Sequence, residues 1–172
     1  MPTTKSGFTY PTLSDSRLED PTAPPAGAVA KVGTVYYNTL QEAFSVAAKT
    51  NDVVQLVAKA ATPQPTIDLP AGTINLPVAD LTLDVNGILL KTTDSAKVFS
   101  IPAGGSLTMM DSRATTESKI LDVGGIQSTY KPMMGTVELI ENNGTFTLVS
   151  GKLVRGRGTD TTLASFFSGM VR

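Results

Sequence analysis

VFSIPAGGSLTMMDS at residues 98–112 and VELIENNGTFTLVSG at residues 137–151 share one layout: an apolar strand, a glycine turn and a second strand. The aligned pairs are Val98–Val137, Ile101–Ile140, Gly105–Gly144, Leu107–Phe146, Thr108–Thr147 and Met109–Leu148. The segment LTL at 81–83 repeats the second strand one unit earlier, at a shorter spacing than the one between the two later units. Self-similar strand-turn units with loops of unequal length indicate a β-solenoid, in which each coil adds one short strand to each face.

Short strands separated by turn residues extend this pattern over most of the chain after residue 60. The predicted strands are Thr66–Leu69, Leu81–Val85, Val98–Ile101, Leu107–Met110, Lys119–Val123, Val137–Ile140, Thr145–Val149 and Lys152–Arg155. The predicted turns lie at Pro70–Gly72, Asn86–Gly87, Gly104–Gly105, Gly124–Gly125, Asn142–Gly144 and Gly151.

One helix is predicted before these strands, over residues 39–49. Thr39 and Glu42 have the spacing of a capping box, in which each side chain accepts from the other residue's amide. An apolar stripe follows at helical spacing, formed by Leu40, Ala43, Phe44, Ala47 and Ala48. A strand at 30–37, interrupted at Gly33, precedes the helix, and a β-branched strand at 53–57 follows it.

Residues 1–29 are predicted to be an extended arm, because they contain five of the 11 prolines. The arm also contains four large apolar side chains, Phe8, Tyr10, Leu13 and Leu18, for which a solvated linker has little use. Two interpretations remain open: a disordered N-terminus, or an arm that orders on another protein with these residues as its anchor.

The composition excludes several classes of chemistry. The 172 residues include no His and no Cys, so the usual zinc sites, a thiol nucleophile and a Ser-His-Asp triad are excluded. A net charge of −1 provides no electrostatic attraction to nucleic acid. We find no secretory signal in residues 1–30 and no membrane-spanning apolar run. The sequence predicts no catalytic residue, no cofactor and no metal.

Several polar clusters have a functional and a simpler structural interpretation. Asp84 and Asn86 offer oxygen ligands to Ca²⁺, but a tight Asn-Gly turn is favoured because no terminal Glu completes a loop.

Arg155 and Arg157, with Lys152 nearby, suit either an anion site or a solvated turn. The acids of the solenoid are Asp111, Glu117, Asp122, Glu138 and Glu141, and stacking of Asp84 on Asp111, or of Asp111 on Ser150, is expected in any solenoid.

The paired methionines, 109–110 and 133–134, are expected to place one member inside and one outside. Subunit contacts are therefore assigned to Met110 and Met133, together with Phe166 and Phe167 of the apolar run at 163–172.

Residues 32–58, 81–90 and the GGSLTMMDS and NNGTFTLVSG units together resemble the opening of a right-handed parallel β-helix of the pectate-lyase-like kind. They are similar to the start of β-helices in phage tailspikes, phage head fibres and bacterial cell-surface repeat proteins. The resemblance implies an all-β fold: a right-handed parallel β-helix (solenoid) at 30–172, one short N-terminal capping helix, and an extended arm at 1–29.

The resemblance also implies a function, since "GFTYPTLSDS" followed by prolines is similar to the attachment arms of phage virion proteins. We expect a non-enzymatic, homotrimeric fibre or decoration protein on the phage particle surface, bound to capsid or tail through residues 1–29. The uncapped apolar end at 163–172 indicates a covering partner chain or a longer fibre. The alternatives are a tailspike that binds or cleaves host surface glycans and a bacterial cell-surface adhesin segment.

Overall fold

A computed structural model describes residues 23–58, 64–93, 97–114, 123–128 and 138–155. The elements are β1 (Ala30–Val32), β2 (Val35–Tyr37), α1 (Leu40–Thr50), β3 (Val54–Leu56), β4 (Thr66–Asp68), β5 (Ile74–Asn75), β6 (Asp80–Asp84), β7 (Leu89–Thr92), β8 (Phe99–Ile101), β9 (Ser106–Met110), β10 (Gly125–Ser128), β11 (Ile140–Asn142), β12 (Thr145–Leu148) and β13 (Lys152–Arg155). The described part is therefore mostly β with one helix, which is the coarse form of the predicted class.

The strands form three sheets with a regular connectivity. Sheet A has the order β12-β9-β6-β3-β1-β2, sheet B the order β13-β10-β7-β4, and sheet C the order β11-β8-β5. From β3 onward, successive strands belong to sheets A, B and C in turn, so each strand pairs with the third one along the chain. All of these pairings are parallel, whereas β1 pairs antiparallel with both β2 and β3.

The helix begins where the capping box predicts, with Thr39 as its N-cap and Leu40 as its first residue, although the Glu42 carboxylate contacts the Thr39 hydroxyl in place of the expected Thr39 amide. The Glu42 amide donates to the Thr39 hydroxyl at 3.3 Å, and that hydroxyl donates to the Glu42 carboxylate at 2.9 Å. The helix ends at Thr50, after which the C-cap Asn51 still donates its amide to the Ala47 carbonyl and then leaves the helical path through its left-handed backbone (φ 58°). The apolar stripe is buried as expected, except that Ala48 is half-buried.

The core consists of columns of side chains that stack from strand to strand. In sheet A, Leu81 lies opposite Leu107, which lies opposite Phe146. In sheet B, the column is Ile67, Leu90, Ile126 and Leu153, and in sheet C it is Ile74, Phe99 and Ile140. The helix joins this core through Phe44, whose ring packs edge-to-face on Phe99 at 5.7 Å between centroids.

The repeat predicted from the sequence is confirmed in sheet A, where Leu81, Leu107 and Phe146 lie opposite one another despite their unequal spacing. It is wrong in sheet C, because Ile140 lies opposite Phe99 and not opposite Ile101. The connection from β11 to β12 (143–144) is shorter by two than that from β8 to β9 (102–105), which shifts the alignment by the same amount. An even shift keeps each side chain on its own face.

Other strand predictions need correction. The interrupted strand at 30–37 is a hairpin, β1 and β2, and the strand predicted at 137–140 begins only at Ile140. The strands β5, β7 and β10 are absent from the sequence prediction, and of the strand expected at 119–123 residues 119–122 lie outside the described residues. The predicted Gly124–Gly125 turn is wrong, because Gly125 is the first residue of β10.

Gly125 pairs with Leu89 and Lys152, and its position requires glycine because β13 approaches so closely that a Cβ would overlap the Lys152 carbonyl oxygen. We predict that Gly125→Ala lowers the free energy of unfolding by about 3 kcal/mol, because β10 and β13 must separate. Urea denaturation measures this change. Gly105→Ala is the matched control, since the nearest atoms to its Cβ are those of the Pro102 side chain (3.2 Å) and the Pro102 carbonyl oxygen (3.4 Å). Its cost should be about 1 kcal/mol or less, and equal costs would contradict the prediction.

Candidate functional site

The main polar cluster of the described residues lies at the ends of the sheet A strands. It consists of Gln55, Asp84, Asp111 and Ser150, which we call the polar corner. Gln55 lies opposite Asp84, the last residue of β6, while Asp111 directly follows β9 and Ser150 lies shortly after β12. Gln55 and Asp84 thus belong to strands β3 and β6, while Asp111 and Ser150 belong to the turns that follow β9 and β12.

Asp84 holds its own turn and the next one. Its Oδ1 accepts from the backbone amides of Asn86 and Ser112, both at 2.9 Å, and its Oδ2 accepts from Gln55 Nε2 at 2.7 Å. The Asn86 side chain in turn donates to the Leu56 carbonyl at 3.1 Å. These contacts tie three successive strands of sheet A together.

Asp111 repeats this arrangement one strand later. Its Oδ1 accepts from the amides of Gly87 at 2.7 Å and Arg113 at 3.0 Å, and its Oδ2 accepts from Gly124 at 2.7 Å. The Asp111 amide donates to the Ser150 hydroxyl at 2.8 Å. The expected proximity of Asp111 and Ser150 is therefore confirmed, whereas Asp84 lies opposite Met110 and not opposite Asp111, so its expected stacking on Asp111 is wrong by one residue.

The polar corner has the electrostatics of a structural clamp. Asp84 and Asp111 are each only 3% exposed. Burial raises the pKa of Asp84, but the hydrogen bonds from Gln55, Ser112 and Asn86 outweigh it and hold the pKa below the ordinary 3.8. A general acid needs the opposite shift, so this geometry suits an ionised hydrogen-bond acceptor.

The turn interpretation of Asp84 and Asn86 agrees with the backbone, since Asn86 (φ 48°) and Gly87 (φ 74°) both adopt left-handed conformations. Gln55, Asn86 and Ser112 all donate hydrogen bonds to Asp84, so its oxygens are occupied by protein donors. Within the described residues, no group of three or more acidic, His or Cys side chains could hold a metal ion.

A groove of about 370 Å³ lies on the outer side of sheet A, beside the polar corner. Lys31, Asp52, Val53, Gln55 and Met110 line it, with Gly33 and Asp84. Val53 is 43% exposed, and the side chains of Val35 and Tyr36 on β2 are also exposed. Met110 is half-buried on this outer side whereas Met109 is buried, so the expected alternation of this methionine pair is confirmed.

A charged cluster occupies the outer side of sheet C. Lys97 Nζ lies 2.9 Å from Glu141 and 3.4 Å from Glu138, and the Ser100 hydroxyl donates to Glu141 at 3.0 Å. The hydrogen bond with Glu141 raises the pKa of Lys97, and the bonds from Lys97 and Ser100 lower the pKa of Glu141. This exposed network of one lysine and two glutamates stabilises the pairing of β8 with β11 only weakly.

Arg155 is the last residue of β13, and the remaining predicted site residues apart from Lys152 lie outside the described residues. They are Phe8, Tyr10, Leu13 and Leu18 of the arm, and Met133, Met134, Phe166, Phe167, Glu117, Asp122 and Arg157. Lys152 is described, and its ammonium donates to Gln64 Oε1 at 3.3 Å.

Sequence reasoning missed Gln55 and the groove residues Lys31 and Asp52. Gln55 precedes Asp84 by roughly the spacing of one repeat unit, and that spacing was the available signal.

Comparison with family models, curated proteins and solved structures finds no match. In the described part of the chain, no helix is long and apolar enough to cross a membrane.

We predict that Asp111→Asn lowers the free energy of unfolding by about 2–3 kcal/mol, because an amide nitrogen replaces an oxygen that accepts from a buried amide. The control is Asp80→Asn, whose exposed carboxylate accepts from the Ser106 hydroxyl at 2.6 Å. Its loss should stay below about 1 kcal/mol. Urea denaturation at neutral pH compares the two, and similar losses would refute the clamp.

The lowered pKa of Asp84 predicts an acid-dependent stability. Its contribution is present above the ordinary Asp value of 3.8 and is lost as pH falls through the lower pKa of the folded state. Stability measured from neutral pH down into the acid range should therefore fall less steeply below the ordinary Asp pKa in Asp84→Asn than in the unchanged protein. Parallel curves would show that Asp84 does not supply this linkage.

Proposed function

We propose that this chain is a structural virion protein of a bacteriophage, a trimeric fibre or decoration protein attached to capsid or tail through its N-terminal arm. We further propose that the fold is a right-handed parallel β-helix, in which three consecutive strands, one from each sheet, make one coil. The observation that carries this proposal is the parallel pairing of every third strand from β3 to β13. The right-handed sense is proposed because connections between parallel strands of one sheet are almost always right-handed.

The polar corner supports a mechanical role. Its buried carboxylates accept hydrogen bonds from backbone amides of neighbouring coils, which makes the coil stack rigid. A rigid stack of this kind suits a rod-shaped structural element that resists unfolding. The proposed role involves no catalysis. Adhesion then depends on buried apolar area and on the arm.

The trimer would form around the outer side of sheet A. Met110, Val53 and Tyr36 give this side its apolar character, while Lys31 and Asp52 provide opposite charges at its groove. The outer side of sheet C, with Lys97 and two glutamates, is charged and less suited to close packing between copies.

The direct test is the location of the protein. Purified particles of the phage that encodes this chain should contain it, as detected by mass spectrometry, and antibodies against the folded part should label the head or the tail in electron micrographs. Particles with an otherwise complete set of virion proteins but without this chain would overturn the proposal.

The subunit contact can be tested separately. The unchanged protein should sediment with three times the 18.0 kDa mass of one chain. Met110→Glu should lower this mass with little change in secondary structure, because three carboxylates would be buried near one another. Gln127→Glu is the control, since Gln127 is also half-buried but lies in sheet B. A monomeric unchanged protein, or equal effects of the two variants, would contradict the assigned contact.

A second candidate is binding of a host surface glycan at the same groove. It is favoured by hydrogen-bonding groups on Lys31, Asp52 and Gln55 next to the exposed ring of Tyr36. Glycan-array binding that is lost in Tyr36→Ala would support it. Release of reducing sugar would add cleavage, for which Asp84 is a poor candidate because its oxygens are already occupied.

A further inference from the structure

A second groove, of about 270 Å³, lies between the start of α1 and the strands β4 and β5. Its walls are mainly apolar, formed by Val29, Leu40, Ile67, Leu69 and Ile74. Ligand pockets for small molecules are usually larger, about 300–1,000 Å³. The groove therefore suits one or two side chains of a peptide.

An open sheet edge adjoins this groove. Sheet A continues beyond β3 into the hairpin, but in the described part of the chain no strand pairs with β4 on the side away from β7. The Pro65 carbonyl and the Leu69 amide bond to β7 residues, so odd-numbered residues face β7. The backbone groups of Thr66 and Asp68 consequently point to the open edge, where they can pair with an added strand.

The chain itself enters beside this groove. Residues 1–22 precede the described part, which begins at Ala23, and Val29 shortly after it lines the groove wall. The stretch from Tyr10 to Ala23 can span up to ~45 Å when fully extended. The occupant is thus within reach without a second molecule.

The sequence of this segment suits strand addition. Phe8 and Tyr10 alternate with Thr9, so that both rings would lie on one face of a strand. Pro11 follows and has no amide to donate, which would end the pairing. We propose that residues 4–10 add to the open edge of β4 as a strand and place Phe8 and Tyr10 in the apolar groove.

This inference goes beyond the proposed function and does not depend on it. A docked arm would be stored on its own fold and released when a binding partner competes for Phe8 and Tyr10. Its tests use the isolated full chain, so their failure would leave the virion assignment untouched.

Disulfide trapping tests the docked arrangement, because the chain has no cysteine of its own. Thr9→Cys combined with Thr66→Cys or with Asp68→Cys should form an intrachain disulfide on mild oxidation, detected by mass spectrometry. The control pairs Thr9→Cys with Thr147→Cys, an exposed site on sheet A. Disulfides mainly between two chains, or equal trapping in the control, would overturn docking within one chain.

Proteolysis provides a second test that needs no cysteine. Trypsin should cleave after Lys5 about tenfold faster in Phe8→Ser/Tyr10→Ser than in the unchanged protein, because burial of the rings is lost. Cleavage after Arg17, outside the proposed strand, is the internal reference and should not change. Leu13→Ser/Leu18→Ser is the matched control and should leave both rates unchanged. Fast cleavage after Lys5 in the unchanged protein would refute the proposal.

Discussion

The spacing between paired strands, about 4.8 Å, is the constraint on which the rest of this structure depends. Every third strand must return to that distance, so the connecting turns are stacked as closely as the strands. At Gly125 and Gly144 the neighbouring backbone leaves no room for a Cβ. The same closeness brings the amides of one turn within reach of a carboxylate at another, which is why Asp84 and Asp111 can each bond to more than one turn.

The stacked turns also explain why buried acids are tolerated in a chain with few charges. A buried carboxylate is costly unless donors surround it, and a buried backbone amide at a turn equally needs an acceptor. Asp111 satisfies three such amides with two oxygens. Among the described residues no buried side-chain nitrogen or oxygen lacks a hydrogen-bond partner. The carboxylates and the turns therefore stabilise each other.

The sequence predicts best those features that arise from local periodicity. The capping box at Thr39 and the Leu81–Leu107–Phe146 alignment were both readable, because each depends on side chains in a recognisable local pattern. The register of sheet C was predicted wrongly because it depends on loop lengths. Gly125 looked like a turn residue because local propensity does not report the approach of β13, which comes much later in the chain.

The polar corner likewise has features that the sequence predicts and features that depend on the tertiary structure. The proximity of Asp111 and Ser150 could be predicted from the repeat, but the register of Asp84 and the atoms to which these side chains bond could not. That depends on the path of the turns, which brings Gly87 and Gly124 to one carboxylate. Gln55 lacked any motif, and only its position opposite Asp84 gives it a role.

The first strands of sheets A and B differ in what lies against their outer edges, and this difference affects where an added strand can bind. Sheet A is completed by an antiparallel hairpin, while α1 lies against β5 through the bond from Gln41 to the Asn75 carbonyl at 2.8 Å. Among the described residues, sheet B has neither a hairpin nor a helix contact of this kind next to β4. An open edge of this kind invites pairing with whichever extended chain is nearest. Because the arm joins the fold at this end, strand addition at β4 would couple the state of the arm directly to the first strands of the fold.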